Sequence, residues 1–390
     1  MAAYKYVIVG AGMTADAAVR GIRELDQDGS IAIIGSDPNP PYNRPPLTKG
    51  LWKGKLLESI WRRTEQFSVE LHLGRTVTSI DPVQKSVRDD QGNEYHYEKL
   101  LLATGGTPRR LPFGDEGVIY YRTLEDYQRL RELASQKEHF GVIGGGFIGS
   151  EIAAALAMNG KRVTILFPEA GIGGHIYPLF LADYLNSYFR AKGVEVLAQT
   201  KLTGIRQQDA GYQLLTEDGD QIQVDAVIAG IGIQPNVALA EAAGLQVANG
   251  IVVDETLRTS QPDIFAAGDV AEFANPTLAK RLRIEHEDNA NTMGKHAGRA
   301  MAGASEPYHH LSFFYSDLFE LGYEAVGELD SRLETFVDWK DEYKKGVVYY
   351  LDHGRVRGVL LWNVWDSIPK ARSLIAEPGP FTTASLKGRL

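Results

Sequence analysis

The chain has 390 residues, room for two to three domains at roughly 150 residues each. Its 41 Lys+Arg against 50 Asp+Glu give a net charge of −9, and an acidic chain lacks the basic face that a general nucleic-acid binder needs. No apolar run approaches the roughly 18 residues of a membrane span, and the count of zero cysteines excludes disulfides, thiolate metal sites, iron–sulfur ligation and a thiol nucleophile. At 44% hydrophobic and 23% charged residues the composition is that of a folded protein with sizeable cores. Met-Ala-Ala-Tyr-Lys-Tyr-Val-Ile-Val leads straight into a strand pattern without the charged and apolar segments of a signal peptide, so the expected compartment is the cytoplasm.

Lys5–Val9 reads as a buried strand, Gly10–Ala15 as a glycine-rich turn, and the stripe Ala17, Ala18, Ile22, Leu25 as a helix. Ser30–Ile34 is a second strand, followed by Asp37, which completes a βαβ unit. Leu100–Ala103 is another strand, opening onto Thr104, Gly105, Gly106, Thr107 and Pro108. The order then repeats: strand Phe140–Ile143, turn Gly144–Gly149, helix Glu151–Met158, strand Arg162–Phe167, acid Glu169. Val227–Pro235 repeats the strand with a Gly/Pro loop, and Ile264–Ala267 meets Gly268 and Asp269. After about residue 310 the texture turns aromatic. Gly346–Leu351 and Arg355–Asn363 flank His353-Gly354 as a hairpin, and Ser367–Ala376 reads as a helix.

Two glycine fingerprints, each with a strand before and a helix after, predict two dinucleotide-binding domains. The first glycine permits a tight turn, the second admits the pyrophosphate, and a small third residue packs helix on strand. Gly10, Gly12 and Ala15 fill these roles in one copy, Gly144, Gly146 and Gly149 in the other, with Gly145 inside the second turn. The helix N-terminus then faces the phosphates with free N–H groups. Glu169 follows Gly149 by 20 residues and Asp37 follows Ala15 by 22, where an acid accepts bonds from ribose hydroxyls. Pro168-Glu169-Ala170-Gly171 contains no arginine, so the second site is expected to prefer NAD to NADP.

The double fingerprint, Ala103–Arg109 and Ala267-Gly268-Asp269 resemble the two-domain FAD/NAD(P) pyridine nucleotide reductases. Pro41–Lys49, Gly144–Glu151, Phe314–Asp317 and Gly322–Ala325 resemble their apoptosis-inducing-factor-like and oxygenase-coupled ferredoxin reductase members. The resemblance spans nearly the whole chain and is weakest after about Leu333. It implies an α/β fold: two Rossmann-like domains, for FAD and NAD, plus a C-terminal α+β domain. The expected boundaries are 1–112 and 234–309 for FAD, 113–233 for NAD, and 310–390 for the C-terminal domain.

Carried over residue by residue, the resemblance puts FAD on Gly10, Gly12, Ala15, Asp37, Arg44, Lys49, Val77, Ala103, Thr104, Gly105, Arg109, Gly268, Asp269, His286, Glu287 and Tyr315. It puts NAD on Gly144, Gly145, Gly146, Phe147, Ile148, Glu169, Gly232, Glu285 and Glu324. It also implies that Lys49 and Glu151 form a salt bridge beside the flavin N5, the ammonium offsetting negative charge on the reduced ring. Three positions depart from apoptosis-inducing factor: Ser36 replaces a glutamate, Tyr315 a tryptophan and Glu287 a histidine.

Without cysteine there is no dithiol or sulfenic relay, so electrons must leave the flavin directly. The expected activity is an NADH:acceptor oxidoreductase with a ferredoxin- or rubredoxin-like iron–sulfur partner. The alternatives are an NADH-responsive flavoprotein sensor or a quinone reductase, and a homodimer is expected from the resemblance. Lys53, Lys55, Arg62 and Arg63 are a candidate docking patch. Glu285–Asp288 lacks metal-ligand spacing and reads as cofactor lining, so no metal site is expected. His309-His310 reads as a loop pair.

Overall fold

The computed structural model describes residues 2–114 and 116–390. The chain gathers into two units, the first comprising Met1–Asn43, Leu57–Thr107 and Gln234–Ser312, the second Arg44–Leu56, Pro108–Ile233 and Phe313–Leu390.

In the first unit, five strands run parallel in the order Val69–Leu73, Ile31–Gly35, Ala2–Val9, Glu94–Leu102, Ile264–Ala266. Val7 pairs with Ala32 on one side and Leu100 on the other. A parallel sheet covered on both faces needs apolar side chains at every position, and Val7, Ile8, Ile33, Leu100 and Leu101 are all fully buried. The first fingerprint helix, Met13–Arg23, ends two residues earlier than its apolar stripe suggests, and Leu25 is 48% exposed.

That helix lies against Glu287–Met301 at a distance only glycine allows. A Cβ on Gly298 would stand 2.0 Å from the Ala18 carbonyl oxygen, and one on Gly21 2.0 Å from that of Lys295. Replacing Gly298 with alanine therefore forces the helices apart. The expected loss is about 1–3 kcal/mol, read as a lower urea midpoint at unchanged slope. A wild-type midpoint would contradict the close crossing.

The second unit repeats the plan, with parallel strands in the order Val194–Leu197, Arg162–Leu166, His139–Ile143, Ala226–Ala229, Ile119–Tyr120. The second fingerprint helix is Phe147–Met158, buried on nearly every side through its alanines. Residues 313–362 form a five-stranded antiparallel sheet in the order Phe313–Leu318, Leu321–Gly327, Arg355–Trp362, Lys345–Asp352, Glu334–Asp341. His353 and Gly354 both take positive φ, +49° and +74°, the two-residue hairpin turn that matches strand twist. Helix Ile368–Ala376 covers this sheet. The fold is the α/β arrangement the repeats predict.

Candidate functional site

The two fingerprint turns are built alike. Gly10 has φ +112°, and a Cβ there would stand 2.2 Å from the Ala103 carbonyl oxygen. Gly144 has φ +103°, and its Cβ would stand 2.5 Å from that of Gly230. Only glycine fits either position. At Gly12 and Gly146 an added Cβ would meet nothing within 4 Å, so each turn opens outward there. These two residues are also the N-caps of their helices, and neither helix has a side-chain cap. Its first amides are left for an anion. Ala15 is fully buried, and a Cβ on Gly149 would stand 1.9 Å from the Gly144 carbonyl oxygen, which is the helix–strand packing role of the third small residue.

Around the first turn, Thr104 Oγ1 donates to the Asn236 carbonyl at 2.9 Å and Asn236 Nδ2 donates back to the Thr104 carbonyl at 2.9 Å. Asn236 also donates its N–H to Gly105, which has φ +64°. Nothing in the local sequence marks Asn236 as this clip. Asp37 is engaged by its own loop: Oδ1 accepts from the Asn39 N–H and side chain, Oδ2 from the Tyr42 hydroxyl at 3.0 Å. Ser36 is exposed. Val77 is buried at the start of strand Val77–Asp81. Gly268 has φ +78° and stands against Thr14, while the Asp269 carbonyl accepts from Arg283 Nη1 at 3.0 Å. Arg283 in turn holds Glu285 at 2.6 Å. His286 is the N-cap residue of helix Glu287–Met301, without a side-chain cap bond. Burial outweighs Asp269 and Asp288 and pushes its imidazole down to about 4, so the ring is neutral at pH 7. His309 and His310 lie in a loop, as the sequence suggests, and His310 Nε2 is 2.6 Å from Asp288. Among the described residues no three ligating side chains converge on a metal site.

One candidate docking residue is reassigned. Arg62 Nε is 2.7 Å from Asp16 Oδ2, and its terminal nitrogens donate to Asn43 and Asn291 at 2.7 and 2.8 Å. It is a half-buried tie within the first unit, while Lys53, Lys55 and Arg63 are exposed. Asp16 is fully buried and also accepts from Arg20 and Thr64. Burial alone would raise its carboxyl, but the bonds from Arg20, Thr64 and Arg62 outweigh it and hold it below the usual carboxylate range. A lowered folded value means the stabilisation is present above the ordinary carboxylate pKa of about 3.9 and lost as pH falls through the folded value. Asp16→Asn should therefore cost about 3–5 kcal/mol at pH 7, the range for breaking a buried pair. The gap to wild type should close in acid, as measured by denaturant melts across pH. A gap that stays constant would contradict the pairing.

In the second unit, Glu169 Oε1 lies 2.8 Å from His175 Nε2. Phe147 packs edge-on against Phe314 at 5.2 Å, and Ile148 is exposed. Gly232 has φ +85°; its carbonyl accepts from the Arg109 N–H, and Arg109 Nε donates to the Ile233 carbonyl at 3.2 Å. Glu324 has a buried Oε2 without a hydrogen-bond partner among the described residues. Burial, assisted by Asp366, pushes its carboxyl up.

The structure brings Lys49 and Glu151 together across 102 residues of sequence. Lys49 Nζ donates to Glu151 Oε2 at 2.7 Å, with the two side chains 13% and 4% exposed. Thr48 Oγ1 donates to the same oxygen at 2.6 Å and Ser316 Oγ to the other at 2.6 Å. The carboxylate is thus held by one cation and two hydroxyls. The Leu47 carbonyl anchors the Pro45–Leu47 turn ahead of Lys49, accepting from Tyr121 at 2.6 Å and Trp52 at 2.9 Å. Above the pair, the partly exposed Tyr315 ring lies 5.2 Å from Lys49 Nζ. Thr48, Ser316, Tyr121 and Trp52 bond the pair and the turn that carries it, and sequence reasoning did not single them out. Thr48 and Ser316 do adjoin residues it singled out.

Residues 4–294 match the family described as pyridine nucleotide-disulphide oxidoreductase. Residues 297–340 and 337–377 match the apoptosis-inducing factor, mitochondrion-associated, C-terminal family. Apoptosis-inducing factor 1, mitochondrial, of Dictyostelium discoideum is 33% identical, over 95% of this chain and 78% of that protein. The ferredoxin–NAD(+) reductase component of the anthranilate 1,2-dioxygenase system of Burkholderia cepacia is 34% identical, over 96% and 95%. Among solved structures, the reductase chain of the covalent putidaredoxin reductase–putidaredoxin complex superposes with a TM-score of 0.90. It is 31% identical, and 97% of this chain and 94% of that one are covered.

Proposed function

The chain belongs to the pyridine nucleotide-disulphide oxidoreductase family, and on that basis we propose that it passes electrons from NADH through FAD directly to a small iron–sulfur protein of ferredoxin or rubredoxin type. The observation that carries this reading is the doubled cradle, an open glycine before an uncapped helix N-terminus occurring twice, in a chain with no cysteine. A dithiol relay of the kind the family name describes has no residues to run on, so the acceptor must take electrons from the flavin itself.

The residues fit the two groups. The first turn, with Thr104, Gly105, Gly268, Asp269 and the neutral His286, would hold FAD. The second, with Glu169, Gly232 and the unpartnered Glu324 oxygen, would hold the nicotinamide nucleotide. The domain division at 1–112 with 234–309, 113–233 and 310–390 belongs to this reading. The chemistry that FAD would supply there when bound is two-electron acceptance from a nicotinamide coupled to one-electron release. Lys49 supplies a fixed positive charge where negative charge develops, and Glu151, bonded to it at 2.7 Å, keeps that ammonium aimed. Thr48 and Ser316 saturate the carboxylate, which holds it in one orientation.

The test is a mixture of purified protein, NADH and a plant-type or oxygenase-type [2Fe–2S] ferredoxin, with ferredoxin reduction followed spectrally. Fast NADH-dependent reduction is the expected result, and flavin that NADH reduces while every iron–sulfur protein stays oxidised would overturn the acceptor class. The match to the apoptosis-inducing factor C-terminal family favours one second reading, an NADH-responsive interaction protein. It requires slow reoxidation by every acceptor and an NADH-dependent mass change by light scattering. A cytoplasmic location and a homodimer remain parts of the proposal. No described helix is long and apolar enough to cross a membrane.

A further inference from the structure

We propose that Arg283 is a positioning residue for the nicotinamide nucleotide: it holds one oxygen of Glu285 and thereby aims the other at the ligand, while the same guanidinium steadies the turn that carries Asp269. The inference rests on the reading of Asp269 and Glu285 as flavin and nucleotide contacts.

Arg283 follows strand Lys280–Leu282, which pairs with Ala271–Asn275, and His286 then caps helix Glu287–Met301. The residues between are a short link joining two fixed elements. A guanidinium stays charged at every working pH and donates in fixed directions. Here it is nearly out of water, with 9% of the side chain exposed. Its stem passes over Gly250, where a Cβ would stand 2.9 Å from Arg283 Cδ and 2.6 Å from the Val270 carbonyl oxygen. A glycine therefore makes room for the path of this side chain.

At the far end one nitrogen serves two acceptors. Nη1 donates to the Asp269 carbonyl at 3.0 Å and lies 2.6 Å from Glu285 Oε1. Nε donates to Asn249 Oδ1 at 3.4 Å. Glu272, another acid beside this strand, is already engaged. Arg281 Nε lies 3.2 Å from its Oε1, and the Asn249 N–H donates to its Oε2 at 2.7 Å. The charge of Arg283 is thus left to Glu285.

The Glu285 side chain is 35% exposed, and a glutamate that open ordinarily samples many rotamers. This one is tied at Oε1 by Arg283, and the backbone beside it is pinned. Asn289, fully buried, donates from Nδ2 to the Ile284 carbonyl at 3.1 Å. The hydroxyls of Tyr308 and Ser312 donate to Asn289 Oδ1 at 3.0 and 3.2 Å, which fixes the amide. Among the described residues no hydrogen bond reaches Glu285 Oε2. One carboxylate oxygen remains, in a set direction, for a donor of the ligand. A nicotinamide dinucleotide offers ribose hydroxyls and a carboxamide N–H. An acceptor oriented before the ligand arrives is not ordered at the expense of binding.

The experiment is calorimetric binding of NAD+ to the oxidised, flavin-loaded protein, in which no hydride moves. A double-mutant cycle joins Arg283→Met and Glu285→Gln. Arg283→Met should weaken NAD+ binding about tenfold, the lower end of what a hydrogen bond to a charged group carries. Glu285→Gln should weaken it by a similar factor. The double variant should match Glu285→Gln to within about twofold, because Arg283 acts through that carboxylate. In turnover, Arg283→Met should raise KM for NADH more than it lowers kcat, a split that a general loss of folded protein does not produce. Arg283→Lys, which keeps a cation in the same setting, carries the same cycle should the methionine variant not retain flavin. NAD+ affinity unchanged by Arg283→Met, or weakened equally with and without Glu285, would overturn the role of Arg283 while the loss in Glu285→Gln upholds the nucleotide contact. Wild-type NAD+ affinity in Glu285→Gln would overturn that contact and the proposal with it.

Discussion

Replacing Lys49 with methionine is expected to slow reduction of the bound flavin by NADH about 10²–10³-fold, the usual cost of removing one preorganised electrostatic donor. FAD content should stay at the wild-type level. The reason lies in how the ammonium is held. Its acceptor, Glu151, is 4% exposed, and Thr48 and Ser316 hold that carboxylate at 2.6 Å each. Charge that is already oriented costs no reorganisation when negative charge develops beside it. Methionine keeps the apolar stem and removes only the charge, so packing under Tyr315 persists. Single-turnover stopped-flow under anaerobic conditions reads the hydride step directly, and an unchanged rate would remove Lys49 from the chemistry.

The second large effect is on stability. Glu151→Leu removes the partner of a nearly buried ammonium and leaves Thr48 and Ser316 without their acceptor. The expected cost is about 3–5 kcal/mol, because breaking a buried pair leaves an uncompensated charge. Adding Lys49→Met to Glu151→Leu removes that charge and should recover most of the loss, since apolar replacement of a whole buried pair is often neutral. The double variant should nevertheless remain as slow in flavin reduction as Lys49→Met alone. Recovery of stability without recovery of rate separates the structural role of the pair from its electrostatic one. If the double variant were as unstable as Glu151→Leu, desolvation of Lys49 would not be the cause.

What was legible in the sequence followed from local requirements. Gly10 and Gly144 announce themselves because a positive φ and a carbonyl within 2.5 Å of any Cβ exclude every other residue at those points. His353-Gly354 is readable for the same reason. Strand ends were less readable. Ser30–Ile34 proved to be Ile31–Gly35, because a strand buried on both faces has no alternation to fix its limits. Leu25 continued a helical stripe that the chain abandons at Arg23, where Asp26 gathers Lys5, Tyr6 and Gly29 instead.

Contacts distant in sequence were not legible from pattern at all. Nothing near Lys49 points to Glu151; that pairing came only through family resemblance, and no local signal identified Thr48 or Ser316 as its supports. Arg62 reads from the sequence as one of four basic residues of a docking patch or a solvated face, yet its partner Asp16 lies 46 residues away and is fully buried. Asp37 stands where a ribose acid belongs, and Asn39 and Tyr42, its own loop neighbours, occupy both its oxygens.

The measurement that bears most directly on the doubled cradle is an anaerobic titration of the purified protein with NADH and then NADPH, following the flavin spectrum. The account predicts stoichiometric flavin, bleached by NADH at far lower concentration than by NADPH. A protein that carries no flavin, or flavin that neither nucleotide bleaches, would contradict it.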